Sequence, residues 1–203
     1  PPMPGAMPGA AAPPSPSAAT PTGARCLVVA GPPGAGKTTL AAHAARSMKA
    51  CLVDKDALEW PLANCALKAA GAAKDDAYYN ATIKPRAYET CFRVASQNCS
   101  SGIDVVIVAP FTSFVKDETF LETLSKRFGA RVALLWVCAD PEVLGRRQRS
   151  RNADQDTSVK VTLPARPVCP HILVDTSSVQ EAEMSKTALD AVTRAFSSAR
   201  SGR

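Results

Sequence analysis

The segment Gly31-Pro32-Pro33-Gly34-Ala35-Gly36-Lys37-Thr38 has residue types and spacing suited to one kind of chemistry, the grip of a polyphosphate. Glycines let the backbone bend until its N–H groups face the β- and γ-phosphates, and a helix that starts there aims about half a positive charge at them. Lys37 adds a movable positive charge. Thr38 offers one hydroxyl, enough for a Mg²⁺ ion that takes its other ligands from phosphate and water. The expected ligands are ATP and Mg²⁺, with Gly31, Pro32, Pro33, Gly34, Ala35, Gly36, Lys37, Thr38 and Thr39 as the nucleotide-binding set.

Two carboxylates follow a later apolar run, in Asp54-Lys55-Asp56. Phosphoryl transfer asks mainly for positioning and charge stabilisation, with a carboxylate that holds the acceptor oxygen in line with the γ-phosphate. Asp56 is the candidate for that role. It could equally cap a helix beginning near Ala57, with Glu59 as capping-box partner, and the two roles can coexist. Beyond Cys138-Ala139-Asp140-Pro141-Glu142 lies a helical stretch carrying Arg146, Arg147, Arg149 and Arg151. Arginines closing over a triphosphate contribute roughly 10³ to 10⁵ in rate in related chemistries. A solvated basic face is the plainer reading, but the polar run Asn152-Ala153-Asp154-Gln155-Asp156 that follows favours a lid.

Val108-Ala109-Pro110-Phe111-Thr112 carries no carboxylate, and Asp104 stands at the opposite end of that apolar run. Metal binding is therefore expected to rest on Thr38, phosphates, water and Asp54 or Asp56. Asp175-Thr176-Ser177 could border the adenine or cap a helix.

The elements that must position these residues are legible as apolar, partly β-branched runs at 26–30, 51–53, 104–109, 132–138 and 171–174, separated by helical patterns. Alternation of this kind predicts an α/β fold, a five-stranded parallel sheet with helices on both faces. Ligands of such sheets lie beyond the carboxyl ends of the strands, where the candidates above fall. Phe120, Leu121, Leu124 and Phe128 share one helical face, as do Ser185, Leu189, Val192 and Phe196, and both faces are expected to pack on the sheet. Gly102 and Gly129 mark helix ends.

With 203 residues the chain has room for one well-buried domain, expected over 25–200. Residues 1–24 hold eight of the 17 prolines and no charged side chain, so they are expected to be disordered, and they resemble neither a secretory signal nor a mitochondrial presequence. The chain opens on Pro1, so its native start is expected upstream. No run approaches the roughly 20 apolar residues of a membrane span. Seven cysteines, odd in number and without a Cys-x-x-Cys pair, read as reduced thiols of a cytoplasmic protein, and two distant histidines argue against zinc. The net charge of +6 is spread along the chain outside the arginine cluster, and aromatics are scarce, which makes nucleic acid an unlikely partner.

These features together resemble the small P-loop kinases related to chloramphenicol phosphotransferase, polynucleotide 5′-kinase and zeta-toxin-like enzymes, with an AAA-type P-loop domain. The resemblance runs from about Arg25 to Phe196. It rests on the loop Gly31 to Thr38, on Asp54 and Asp56, on Ala109-Pro110-Phe111, and on Ala139-Asp140-Pro141-Glu142, Arg147, Arg151 through Lys160, and Pro170-His171 with Val174-Asp175-Thr176. It implies ATP-dependent transfer of the γ-phosphate to a hydroxyl, with Asp56 contacting the acceptor and Arg147 and Arg151 touching ATP. Where relatives carry Arg-Asp-x-Trp-Lys in the lid, this chain reads Gln155-Asp156-Thr157-Ser158-Val159-Lys160. Catalytic candidates are thus Lys37, Asp56, Arg147 and Arg151, and metal candidates Thr38 and Asp54.

The favoured partner is a small-molecule hydroxyl compound in a pocket bordered by Asp56, Trp60, Tyr78, Tyr79 and Arg86. Alternatives are a kinase of nucleotide or polynucleotide 5′-hydroxyls, which needs a basic, aromatic groove, and an ATP-binding module without transferase activity. The sequence leaves the oligomeric state open.

Overall fold

Each apolar run becomes a parallel strand. The computed structural model describes residues 23–73, 77–151 and 164–197. In chain order the elements are β1 (Arg25–Ala30), α1 (Lys37–Met48), β2 (Cys51–Asp54), α2 (Lys55–Ala70), a π turn (Tyr79–Ile83) running into α3 (Lys84–Ser100), β3 (Val105–Val108), α4 (Phe120–Phe128), β4 (Arg131–Cys138), α5 (Pro141–Arg151), β5 (Ile172–Asp175) and α6 (Met184–Ser197). The strands form one sheet ordered β2-β3-β1-β4-β5, parallel throughout. This is the α/β P-loop architecture the alternating pattern predicts. Of residues 1–24, expected to be disordered, 1–22 lie outside the described residues, while Ala24 is corrected to an ordered position, buried and with its carbonyl accepting from the Arg131 N–H at 3.0 Å. Of the expected lid the arginine-bearing helix is α5, and the polar run after it lies outside the described residues, as do 74–76, 157–163 and 198–203.

Parallel strands covered on both sides need apolar residues at successive positions, and Cys26 through Ala30 of the central β1 are all fully buried. Their side chains alternate between two layers. Cys26, Val28 and Ala30 join Phe92, Phe111, Phe120 and Phe128 beneath α3 and α4, while Leu27 and Val29 join Leu40, Ala44, Leu144 and Ala188 beneath α1, α5 and α6. Phe111 anchors the first layer, with Tyr88, Phe92, Phe114 and Phe120 around its ring at 5.4–6.1 Å. Truncating a phenylalanine so placed costs about 3–5 kcal/mol.

The face expected of α4 is the one buried, by Phe120, Leu124 and Phe128 with Leu121 partly covered. In α6 the expected face is corrected in part: Val192 is buried and Phe196 partly covered as expected, and Met184, Ala188 and Ala191 are buried with them, while Ser185 is exposed and Leu189 is 52% exposed. The reason lies in its neighbour. α6 packs on α1, whose inward residues include Ala41, Ala44 and Ala45, and small side chains on both helices interlock where a leucine would hold them apart. No described helix is long and apolar enough to cross a membrane.

Candidate active site

Register decides what sits at the carboxyl edge of the sheet. Val29 of β1 and Asp54 of β2 both pair with Val108 of the intervening β3. β1 and β2 therefore end level, and the loop after Ala30 and the turn after Asp54 leave from one edge with roots about 10 Å apart, two strand spacings.

Gly31 leaves β1 at φ 142°, its N–H donating to the Pro110 carbonyl at 3.2 Å. A β-carbon there would lie 2.0 Å from the carbonyl oxygen of Val137, so β4 passes too close for any residue but glycine. At the loop's other end Gly36, at φ 80°, is the N-cap of α1, and no side chain caps that helix. Helix geometry leaves the first-turn N–H groups without intrahelical acceptors, and here they meet no side-chain cap, so the positive end of α1 opens toward the loop. Lys37 Nζ curls back to donate to the Pro32 carbonyl at 2.7 Å, and Thr38 stands exposed beside it.

The outside of the loop is fastened by residues from distant elements. Thr176, just past β5, is fully buried, and its hydroxyl lies 2.9 Å from the Ala35 carbonyl and 3.1 Å from the Cys138 carbonyl. Arg147 of α5 donates from Nη1 to Thr176 Oγ1 (3.0 Å) and the Gly34 carbonyl (3.3 Å), and from Nη2 to the Thr176 carbonyl (2.9 Å). Gln148 Nε2 donates to the Pro33 carbonyl at 2.7 Å. Arg147 thus grips loop carbonyls, whereas the side chain of Arg151 lies outside the described residues. Gln148 is a site residue that the sequence reading did not single out, and Thr176, read there as a border of the adenine or a helix cap, fastens the loop. Asp175 and Ser177 form a turn of their own: Asp175 Oδ1 accepts from the Ser177 N–H and hydroxyl, which holds its carboxyl below the usual range.

In the acidic turn, the capping-box reading of Asp56 and Glu59 is corrected. α2 begins at Lys55, and its N-cap is Asp54, whose Oδ1 accepts from the Asp56 N–H at 2.9 Å. Asp56 is left with its side chain 77% exposed at the edge. Glu59 turns inward to pair with the buried Lys55, drawn by the ammonium, which also lies 3.5 Å from Asp56 Oδ1 and 5.4 Å above the Tyr88 ring. Asp104 sits at the opposite edge of the sheet, where it holds Arg25 through three hydrogen bonds.

Between α2 and α3 opens a pocket of about 330 Å³. Of the residues expected to border an acceptor, Tyr78 and Arg86 line it and Asp56 and Trp60 do not. Tyr79 is buried, its hydroxyl pushed well above the ordinary tyrosine range by burial and then by the neighbouring Glu59 carboxylate.

Residues 27–165 match the profile of a family described as AAA domain. Among solved structures, the chain is similar to a presumptive kinase from Chloroflexus aurantiacus (19% identity, 83% of this chain and 98% of that one, TM-score 0.61). It is also similar to the APS kinase of Mycobacterium tuberculosis solved with AMPPNP and APS (14%, 83% and 97%, TM-score 0.58). A third likeness is to a gluconokinase from Sinorhizobium meliloti 1021 (18%, 86% and 94%, TM-score 0.50). No curated protein matches the sequence significantly. At these identities the likenesses establish the fold.

Proposed function

The chain belongs to the AAA-domain family of P-loop proteins, and from that premise we propose that it transfers the γ-phosphoryl group of ATP to a hydroxyl of a small molecule. One observation carries the reading: an uncapped helix start behind a glycine loop, and an exposed carboxylate, Asp56, leave the same edge of the sheet on the two sides of β3. The small kinases among the structural neighbours support it.

The roles follow from chemistry. The loop amides and Lys37 hold the β- and γ-phosphates, and Lys37 leaves the Pro32 carbonyl to do so. Asp56 orients the acceptor hydroxyl and takes its proton as the oxygen bonds to the γ-phosphorus. The bond from that phosphorus to the β,γ-bridging oxygen breaks, and ADP leaves with the electron pair. Arg147 acts through the loop whose carbonyls it holds.

Among the described residues no group of three or more His, Cys, Asp or Glu side chains could cage a metal. Thr38, with the Asp54 oxygen not engaged by Asp56, offers what Mg²⁺ takes from protein when phosphates and water supply the rest, so the residues fit. An ion held there would offset negative charge on the phosphates.

Lys37→Ala is expected to abolish ATP-dependent transfer with the melting temperature retained, and persisting transfer would remove the loop from the mechanism. Asp56→Asn should lower kcat by about 10² to 10⁴ with ATP affinity kept within about twofold. Equal losses in binding and turnover would make Asp56 structural instead.

A further inference from the structure

The pocket between α2 and α3 has a composition that selects its occupant. Leu58, Leu62, Ala63, Ala66, Ile83 and Ala87 make most of its wall. Several of the polar groups among them are engaged by the protein itself. Thr90 Oγ1 donates to the Arg86 carbonyl at 2.9 Å, Arg86 Nη1 donates to the Thr82 carbonyl at 2.6 Å, and one oxygen of Glu59 accepts from Lys55. A sugar would bury several hydroxyls against hydrocarbon here, at a cost for each one left unpaired.

Glu59 links this pocket to the acidic turn. It lines the pocket with its side chain 2% exposed, paired with the Lys55 ammonium and beside the Tyr79 hydroxyl. Glu59 also lies one helical turn along α2 from Asp56, about 4.5 Å along the axis, and Lys55 touches both carboxylates. The pocket wall is thereby tied to the residue proposed to hold the reacting hydroxyl.

We propose that this pocket takes the phosphate acceptor, and that the acceptor is a compact alcohol with an apolar, aryl or alkyl body, not a polyol. The volume sits at the small end of the range for small-molecule sites, which suits a single-ring compound. The inference rests on the phosphotransfer reading and adds the chemical class of the substrate to it.

The test uses the full chain with MgATP and a panel of aryl and alkyl primary alcohols headed by tyrosol, set against glucose and sorbitol. Binding is followed by saturation-transfer NMR and transfer by ³¹P NMR. Apolar alcohols are expected to bind and be phosphorylated with kcat/KM roughly tenfold or more above the polyols. Ala66→Phe, which fills the pocket, and Leu62→Asp, a change at an exposed wall position that spares the fold, should each raise the acceptor KM roughly tenfold while the ATP KM stays within about twofold. Failure of every apolar alcohol to bind, or polyol phosphorylation untouched by either substitution, would overturn the pocket assignment and leave phosphotransfer standing. Apolar alcohols that bind but receive no phosphate, with ATP bound, would overturn the phosphotransfer reading and the acceptor role with it. A shift in oligomeric state caused by Leu62→Asp, with acceptor KM unchanged, would give the face to a second copy of the chain and also overturn the proposal.

Discussion

Thr176 holds three segments with one hydroxyl, reaching the Ala35 and Cys138 carbonyls and receiving Arg147. Thr176→Val keeps the shape and removes the hydroxyl, leaving buried partners unsatisfied, so it should destabilise the fold by about 1–3 kcal/mol. If the hydroxyl also sets the loop's geometry, ATP affinity should fall about tenfold, the equivalent of about 1.4 kcal/mol, and Thr176→Ser should restore it. Calorimetric titration with ATP checks this, and unchanged affinity in the valine variant would reduce Thr176 to packing. The sequence could show the loop itself, since Gly31 to Thr38 is a contiguous pattern whose parts explain one another. It could not show the fastening, because Thr176 and Ala35 lie 141 residues apart and meet only through the placement of β5.

At the scale of elements, the start of α2 carries the largest electrostatic commitment. Lys55 and Glu59 are both buried, and removing the lysine leaves a buried carboxylate without its counter-ion. Lys55→Met alone should cost about 3–5 kcal/mol in denaturant unfolding, and Lys55→Met with Glu59→Leu should recover most of it. Tyr88, beneath the same ammonium, has its hydroxyl pushed up to about 12, first by burial and then by the Asp56 charge, against the lowering effect of the Phe111 backbone amide. A tyrosine that titrates higher folded than unfolded stabilises fully below its unfolded value of about 10 and loses that contribution as pH rises toward the folded one. Alkaline unfolding above about pH 10 should therefore be blunted in Tyr88→Phe, read by circular dichroism across pH. Aspartate and glutamate three apart near a helix start read as a capping box from sequence, and the inward turn of Glu59 depends on a buried lysine that sequence conventions place outside. The strands were legible because parallel sheets need unbroken apolar runs. The buried face of α6 was not, because alanines matching alanines on α1 set it.

For the molecule as a whole, ligand and stability are linked. MgATP at about a hundred times its dissociation constant should stabilise the fold by about 2.7 kcal/mol, several degrees in melting temperature. Chelating the metal with EDTA should cut the shift, and Lys37→Ala should show none, both read by thermal unfolding. The loop is braced from β3 by Pro110, from β4 by Val137 and from beyond β5 by Thr176. The α2–α3 pocket shares none of these braces. If that pocket holds the acceptor as proposed, grip and choice are housed apart: substitutions in its wall are expected to retune which alcohol is taken without loosening the phosphate loop, so one compartment can be reworked while the other is left alone.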